Sequence, residues 1–437
     1  MNPLSKKYVH ILLLGLCGLL LNLTLALGAD IVIDEAGQRA IPLAHTALVA
    51  ESRIAADMAQ TFDGVLGGDL DLSGLFAPVD PASFLDDARR VTPTSSQVNF
   101  AQWRLLGAQM VIKGSYELTA DGLILKMRLY DVINRRLLLG QNYQGRVADA
   151  RRMAHRFADQ VLKSITGKEG AFDTRIAYIS NRGGHKELYL AESDGYDARR
   201  ITDHRSLVLN PDFSPQGREL IFTSYRAGNP DLYRKEIYTG KEARISRQEG
   251  LNIAGRYNPG NSEIALTLSR DGNAELYLIG LDGRLHKRLT NSWGIDVDPS
   301  WSPLGDKVAF VSSRQGNPHI FVVDVLSGVV SRLTSAGKYN ATPAWSPDGK
   351  WIVFSRLEEG FFNLYRIRPD GTGERQLTFG AGNKEHPRWS PDGRFILYSN
   401  DHSGPKRLYV MRADGSGARE LSLPAGSCSH PAWSMRW

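Results

Sequence analysis

The sequence contains very little cysteine. Its 437 residues include two cysteines, Cys17 and Cys428. Cys17 lies within an apolar N-terminal stretch and follows Leu16, whereas a lipoprotein signal has a small residue before its cysteine. Removal of that stretch would leave Cys428 alone, and one cysteine cannot form an intramolecular disulfide. The mature fold is therefore expected to depend on its sheets and its core.

The sequence also lacks the short motifs of common catalytic and nucleotide-binding sites. There is no G-x-S-x-G, C-x-x-C, H-E-x-x-H, P-loop or G-x-G-x-x-G. The net charge of +6 comes without a cluster of Lys and Arg interleaved with aromatic residues, so nucleic-acid binding is not indicated. The acidic residues around Asp194-Gly195-Tyr196-Asp197 are too few for a calcium loop, and a β-turn is expected there.

A long apolar run occurs at the N terminus. Lys6 and Lys7 precede a mostly apolar stretch at 11–27, and the small residues Ala26 and Gly28 occupy the −3 and −1 positions of the expected cleavage site. This order predicts a signal peptide over residues 1–28 and export to the periplasm of a Gram-negative cell. The alternative is a retained membrane anchor, for which a run of about 17 residues is at the short limit.

One spacing recurs through the C-terminal three-fifths of the chain. The segment Pro299-Ser300-Trp301-Ser302-Pro303 returns after 44 residues at 343–347 and again at 387–391. Weaker copies occur at 211–215 and 255–259, and a truncated one at 431–434. Two aromatic columns and one glycine column keep the same step: Tyr178, Phe222, Leu266, Phe310, Phe354 and Tyr398; Tyr189, Tyr233, Tyr277, Phe321, Tyr365 and Tyr409; Gly184, Gly228, Gly272, Gly316, Gly360 and Gly404. The region 174–437 is therefore a repeat array.

The pattern inside one repeat selects the fold. A period of about 40–45 residues suits either a four-stranded propeller blade or a helical repeat. Short alternating runs such as 307–311 and 319–323 are rich in β-branched and aromatic residues and are separated by Asp-Gly and Ser-Gly turns. These features predict a six-bladed all-β propeller with four strands in each blade.

The phase of the repeats predicts how the ring closes. The chain enters at Arg175 on the second strand of a blade, and it ends on a Trp-Ser strand around Trp433. We expect these two partial blades to form one complete sheet, because closure removes the open strand edges.

A domain of different texture is predicted over residues 29–166. Short strands are expected at 31–33 and 47–49, a helix capped by Ser52, and a second helix at 101–106. Three strands are predicted at 110–118, 123–132 and 136–144, followed by an amphipathic helix over 148–164. The class is α/β with a small mixed sheet, and residues 167–173 form a short linker to the propeller.

One column varies while its surroundings repeat. It consists of the residues that precede the repeat proline, namely Asn210, Ala254, Asp298, Thr342, His386 and His430. The loop that enters the innermost strand of a blade borders one face, so these side chains are expected to form a ring there, with Glu385 and Ser429 beside the histidines. The ring could be a solvated rim or a surface for protein docking. A metal or acid–base site from Asp298, Glu385, His386 and His430 is a third possibility, although no local spacing requires it.

Several segments together resemble the TolB family. They are the 31–34 start, Ser73-Gly74-Leu75-Phe76 before Pro78, the junction at 166–172 and the Trp-Ser-Pro-Asp-Gly propeller. TolB proteins are periplasmic propellers of the Tol–Pal system, which supports outer-membrane integrity and envelope constriction at cell division. The resemblance implies a monomeric, non-enzymatic protein without cofactor or metal, which binds no nucleic acid and is not stably inserted in the membrane.

The resemblance also implies two partners. One propeller face, with the six-residue ring, would bind the lipoprotein Pal, and the N-terminal segment with Asp30, Ile31, Val32, Ile33 and Asp34 would bind TolA by adding a strand. Other Tol or outer-membrane proteins are further possible partners. A mobile segment is expected over 29–40, and its alternative is a strand packed permanently on its own domain. The rival functions are a secreted propeller enzyme with a polysaccharide or peptide site in its funnel, and an unrelated periplasmic scaffold.

Overall fold

The computed structural model describes residues 40–84, 98–260 and 262–436. Its first part contains a mixed sheet and helices. The strands are β1 (Ile41–His45), β2 (Val49–Ala50), β3 (Phe76–Pro78), β4 (Met110–Thr119), β5 (Gly122–Asp131) and β6 (Arg136–Gly145). The helices are α1 (Ala56–Ser73), α2 (Phe100–Leu105) and α3 (Ala150–Thr166), with short 3-10 turns at Pro81–Ser83 and Val147–Asp149.

The mixed sheet has the order β3-β1-β4-β5-β6, and β2 also pairs with β4. The pairs β1–β3, β1–β4 and β2–β4 are parallel, whereas β4–β5 and β5–β6 are antiparallel hairpins. Helices α1 and α3 pack on each other, with Phe62, Leu66, Phe157 and Val161 fully buried. The predicted class, an α/β region with a small mixed sheet, is confirmed.

The second part is a six-bladed propeller. The strands of blade 1 are β7 (Arg175–Ser180), β8 (Glu187–Glu192), β9 (Arg199–Arg200) and β30 (Cys428–Trp433). Those of blade 2 are β10 (Val208–Phe213), β11 (Glu219–Ser224), β12 (Asp231–Glu236) and β13 (Glu242–Ser246), and those of blade 3 are β14 (Asn252–Tyr257), β15 (Glu263–Leu268), β16 (Glu275–Gly280) and β17 (Leu285–Arg288). Blade 4 has β18 (Asp296–Trp301), β19 (Lys307–Ser312), β20 (His319–Asp324) and β21 (Val330–Arg332). Blade 5 has β22 (Asn340–Trp345), β23 (Ile352–Glu358), β24 (Phe361–Ile367) and β25 (Arg375–Gln376), and blade 6 has β26 (Lys384–Trp389), β27 (Phe395–Asn400), β28 (Arg407–Arg412) and β29 (Arg419–Glu420).

The aromatic columns of the sequence form the core of each blade. Phe222 lies directly opposite Tyr233, and the two rings stack with centroids 6.0 Å apart. Indoles of the tryptophan column join neighbouring blades, because Trp301 Nε1 donates to the Arg256 carbonyl at 3.1 Å and Trp389 Nε1 to the Ala344 carbonyl at 3.0 Å. The repeat period is therefore the period of packing between sheets.

The ring closes as the repeat phase predicted. Strand β30 pairs antiparallel with β7, with Trp433 opposite Ile176. Beyond the ladder, the Ser434 N–H donates a hydrogen bond to the Arg175 carbonyl at 2.8 Å, and Trp433 Nε1 donates to Thr174 Oγ1 at 2.8 Å. Closure therefore rests on backbone pairing and on side-chain bonds across the two chain ends of the ring.

Two details of the α/β region differ from the sequence prediction. Helix α1 begins at Ala56 and has no side-chain cap, because the Ser52 hydroxyl instead bonds the backbone of Leu118. Strand β1 was not predicted, and its pairing with β3 and β4 places it inside the sheet. The strand predicted at 31–33 lies outside the described residues.

The α/β region and the propeller share one hydrophobic core. That core includes Phe157 and Leu162 of α3 together with Phe172, Tyr178 and Phe395 of the junction and propeller. The described residues form one compact unit. In this described part, no helix combines the length and apolar character needed to cross a bilayer.

Candidate functional site

The varied column lies inside the innermost strands of the propeller. Each of its residues is the third residue of an inner strand, two positions past the loop that enters the strand. Neighbouring inner strands contact one another around a closed ring, β10-β14-β18-β22-β26-β30. The six residues are Asn210, Ala254, Asp298, Thr342, His386 and His430, and we call them the channel ring. The expected ring is present, although its residues lie in strands rather than on a loop.

A β-bulge occurs at every position of the channel ring. In blade 2 Leu209 pairs with Thr223 and Asp212 with Ile221, so Asn210 and Pro211 lie opposite Phe222 alone. The same register shift recurs in the other five blades. All six ring residues have a left-handed backbone, with φ between 47° and 56°. Such bulges bend a strand and redirect its side chains, which here places the varied column at the channel.

Two histidines of the channel ring contact each other. The imidazoles of His386 and His430 lie with centroids 3.9 Å apart, and His430 Nδ1 bonds Ser429 Oγ at 3.0 Å. Both side chains are half-buried, and His386 Nδ1 makes no hydrogen bond within the described residues. Burial lowers the pKa of His386 well below its usual range, and the charge of the neighbouring His430 lowers it further. Burial and the positive charges of Lys186 and Lys406 lower the pKa of His430 to about 3. Both imidazoles are therefore neutral at pH 7.

A second varied column also reaches the channel. It comprises the residues two positions after the channel ring, namely Asp212, Arg256, Ser300, Ala344, Arg388 and Ala432. Arg256 and Arg388 belong to opposite blades, 3 and 6, and Arg256 donates to the Gly255 carbonyl at 3.0 Å. Burial and the proximity of Arg256 lower the pKa of Arg388 to about 9. Sequence reasoning missed these residues, although the same variation within a repeat could have identified them.

The two channel carboxylates lie among these arginines. Burial raises the pKa of Asp298, and the charges of Arg256 and Arg388 oppose that rise. Burial likewise raises the pKa of Asp212, whose Oδ2 accepts from the Tyr257 N–H at 3.0 Å. Positive and negative groups therefore alternate over blades 2, 3 and 4, and Arg388 of blade 6 lies across the channel from them.

The structure does not assemble the acid–base or metal site considered from the sequence. Glu385 is paired with Lys406 rather than with the histidines. In the described part of the chain, three or more possible metal-ligating side chains converge only at His155, Glu192 and Asp194, outside the channel. The proposed TolA-binding residues Asp30, Ile31, Val32, Ile33 and Asp34 lie outside the described residues.

The face around the channel ring carries exposed apolar side chains. The loops that enter the inner strands present Trp293, 76% exposed, and Phe379, 72% exposed, with Ile295 and Tyr339 partly exposed between them. Phe361, the first residue of β24, is also exposed, and the Phe362 ring packs edge-on against Tyr339 at 5.6 Å. These residues belong to the consecutive blades 4, 5 and 6 or to the loops that lead into them. Solvated apolar groups on one side of a rigid face are typical of a docking surface.

Family comparisons assign both parts of the chain to one kind of protein. A model described as the TolB amino-terminal domain matches residues 29–138, and one described as the TolB β-propeller domain matches residues 162–436. The Tol-Pal system protein TolB of Syntrophotalea carbinolica is 60% identical over 218 residues, which are 49% of this chain and 50% of that protein. Its counterpart in Geobacter sulfurreducens is 43% identical over 170 residues, covering 39% and 38% of the two chains. The chain thus spans about half the length, or less, of these curated relatives in the matches.

Solved structures show the same architecture. The crystal structure of TolB from Acinetobacter baumannii superposes with a TM-score of 0.80 at 27% identity, covering 92% of this chain and 98% of that chain. A chain of the nidogen/laminin complex matches with a TM-score of 0.51 at 11% identity, over 60% of this chain and 99% of that chain. The second similarity concerns the propeller fold alone.

Proposed function

Because this chain belongs to the TolB family, we propose that it is a periplasmic coupling protein of a Tol–Pal system, without catalytic activity. Its propeller would bind a Pal-type lipoprotein on the face that surrounds the channel ring. Its N-terminal segment would bind TolA, and through these two contacts the protein would support outer-membrane integrity and constriction at division. Export to the periplasm belongs to the same proposal and rests on the predicted signal peptide.

The observation that carries the proposal is the coincidence of three features on one face. The channel ring, the ion pair of Glu385 with Lys406 beside it, and the exposed apolar side chains all lie at the end where the inner strands begin. Interfaces commonly combine an apolar, aromatic centre with a polar border, and a few aromatic residues supply most of the binding energy. Trp293 and Phe379 have the exposure expected of such residues.

The channel residues support binding over the rival catalytic function. A funnel enzyme would need a base or a nucleophile able to act on a substrate, yet Glu385 is paired with Lys406, and the depressed pKa values of His386 and His430 make both imidazoles weak bases. Asp212 and Asp298 lie near the charges of Arg256 and Arg388. This balance of charge suits a surface that recognises a partner with both signs of charge.

A binding measurement tests the docking face. We expect the double change Trp293→Ala and Phe379→Ala to weaken binding of the soluble domain of a Pal-type lipoprotein at least tenfold, measured by titration calorimetry. The reason is that truncating an aromatic residue central to an interface typically costs at least about 1–2 kcal/mol.

The matched control is Leu326→Ala, which removes an equally apolar and 93% exposed side chain from a turn at the opposite end of blade 4. Leu326→Ala should leave the affinity unchanged. Loss of affinity in this control, with none in the double variant, would place the docking surface on the other face. No binding by the unchanged chain would contradict the proposed function as a whole.

A further inference from the structure

A charged cluster lies where the two helices of the α/β region pack on blade 1 of the propeller. It joins Asp69 of α1, Arg151 and His155 of α3, Glu192 of β8 and Asp194 of the following turn. His155 is 2% exposed and Asp69 is 4% exposed. The docking function proposed above makes no use of this cluster, so its composition needs its own explanation.

The orientation of His155 is set by Asp69. The imidazole Nδ1–H donates to Asp69 Oδ2 at 2.7 Å, which leaves Nε2 directed at the propeller. Within the described residues Nε2 has no hydrogen-bond partner, because Glu192 Oε2 is 3.8 Å away and Asp194 Oδ2 is 3.7 Å away. Histidines that bind metals commonly donate their other N–H to a carboxylate in this way.

The three potential ligand atoms are spaced around a common centre. His155 Nε2, a Glu192 oxygen and an Asp194 oxygen all lie within 4.8 Å of one another. Two ligands bound tetrahedrally at about 2.0–2.1 Å from zinc are separated by roughly 3.3 Å. The distances of 3.7 Å and 3.8 Å are too long for hydrogen bonds, yet they need to shorten by only a few tenths of an ångström to bind one ion.

The charge of the cluster is not balanced by its own residues. Of its five residues, three are carboxylates, Asp69, Glu192 and Asp194, and one is a permanent cation, Arg151, which contacts Glu192 at 3.4 Å and also pairs with Asp194. The charge of Arg419 acts on Asp69 from outside the cluster. The cluster therefore attracts positive charge, and a divalent cation beside a neutral imidazole would bring its net charge to zero.

We propose that His155, Glu192 and Asp194 bind one zinc-type divalent cation, with a solvent molecule as the fourth ligand and Asp69 orienting the histidine. One imidazole nitrogen and two carboxylates form a ligand set that zinc accepts in tetrahedral geometry. Calcium and magnesium prefer six or more oxygen ligands, which this cluster does not provide. A bound ion would join α3 to blade 1 and so stabilise the contact between the two parts of the protein.

Titration calorimetry with ZnCl₂ on the purified chain, after removal of metals with EDTA, tests the proposal. We expect saturation at one zinc per chain and a higher midpoint of thermal unfolding with zinc present. The changes His155→Gln and Asp194→Asn should each weaken binding at least tenfold. Asp194 is partly exposed, so that variant keeps the test valid if the His155 variant fails to fold.

Two further variants separate this site from the channel. The double change His386→Asn and His430→Asn removes the paired imidazoles and should leave zinc binding unchanged. Arg151→Gln should strengthen it, because that change removes the cation competing for the two carboxylates. The proposal is overturned if the unchanged chain does not bind zinc stoichiometrically, if calcium binds in its place, or if Asp194→Asn and the unchanged chain bind zinc equally.

Discussion

At the scale of single residues, the channel ring shows how side-chain type and backbone strain are matched. A left-handed backbone costs an ordinary residue roughly 1–2 kcal/mol, whereas Asn, Asp and His adopt it several times more often than other non-glycine types. Four of the six ring positions carry these types: Asn210, Asp298, His386 and His430. The column that varied in sequence is thus partly constrained by conformation, a cause that the sequence interpretations (a solvated rim, a docking surface or a metal site) did not include.

Thr342 is the ring residue least suited to its conformation. It is β-branched with φ at 48°, and its hydroxyl bonds Ser355 Oγ at 3.0 Å. We expect Thr342→Asn to raise the free energy of unfolding by about 1 kcal/mol, because Asn tolerates the left-handed region. The urea midpoint measures this change, and the reverse substitution Asn210→Thr should lower it. A lower midpoint for Thr342→Asn would show that the Ser355 contact outweighs the backbone strain.

The histidine pair predicts an acid-labile contribution to stability. Both pKa values are depressed in the folded state, so unfolding takes up protons once the pH falls below about 6.5, the usual pKa of an exposed histidine. The contribution of the two histidines to the free energy of unfolding is fully present above that pH. It decreases as the pH falls from 6.5 towards 3. Because both side chains are half-buried, solvent screening reduces the effect, and we expect a loss of about 1–2 kcal/mol per histidine at pH 5.

Urea unfolding at pH 7 and pH 5 measures this dependence. The double change His386→Asn and His430→Asn should reduce the loss of stability between the two pH values, because neither amide titrates. The control His286→Asn alters an exposed histidine that pairs with Glu263 at 2.9 Å, outside the channel. An identical pH dependence in the double variant and the unchanged chain would contradict the assignment.

At the scale of elements, each blade is a repeat that becomes stable through its neighbours. The glycine column illustrates the local requirement, since Gly184 has φ at 92° and closes a turn by donating its N–H to the Asn181 carbonyl at 2.9 Å. Only a residue without a side chain adopts this conformation without strain. Blade 1 differs from the others because its sheet joins the start and the end of the propeller.

Deleting residues 429–437 removes nearly all of β30 and should abolish cooperative unfolding or soluble expression. The inner edge of β7 would lose its partner, and blades 1 and 6 would lose the packing between them. Differential scanning calorimetry and the soluble yield measure the effect. The change Met435→Ala, at a half-exposed residue just beyond β30, should have little effect. An unchanged melting transition after the deletion would mean that the ring closes by other contacts.

At the scale of the whole molecule, the α/β region and the propeller are held together by directional contacts as well as by their common core. Arg412 of blade 6 donates to the Leu72 carbonyl at 3.1 Å, and Arg419 donates to the Gly68 carbonyl at 3.3 Å. Cations at the C-terminal end of a helix also interact favourably with its dipole. The interface therefore combines apolar packing with hydrogen bonds donated by two arginines of blade 6.

Removing residues 29–35 from the mature chain should abolish TolA binding, since the partner would lose the backbone ladder of an added strand. The propeller should fold normally, because the deleted stretch contains no repeat position. Pal affinity should change by roughly 5–150-fold if the two sites are coupled by about 1–3 kcal/mol. Calorimetry with each partner measures both effects. A deletion variant that binds TolA and Pal as strongly as the full mature chain would exclude the coupling.

The sequence by itself determined the propeller, its number of blades and its closure, because a repeat period is a physical period of packing. The columns that contain Tyr178 and Tyr189 define the repeat step, and the phase of the repeats places Trp433 on a closing strand. The same local logic located the strands β4 to β6 and the helix α3 within a few residues. Ser52 was misjudged as a helix cap because its hydroxyl bonds β4, a contact of long sequence separation.

Only the tertiary structure decided which polar residues meet. Arg256 and Arg388 are far apart in sequence and face each other because the ring closes, and His155 meets Asp194 because α3 packs on blade 1. The left-handed bulge of the channel ring was not predicted either, because Asn, Asp and His favour that conformation only as a tendency and Ala254 and Thr342 do not favour it. Local periodicity specifies strands and their order, whereas contacts between distant residues depend on the geometry of the closed ring and of the domain interface.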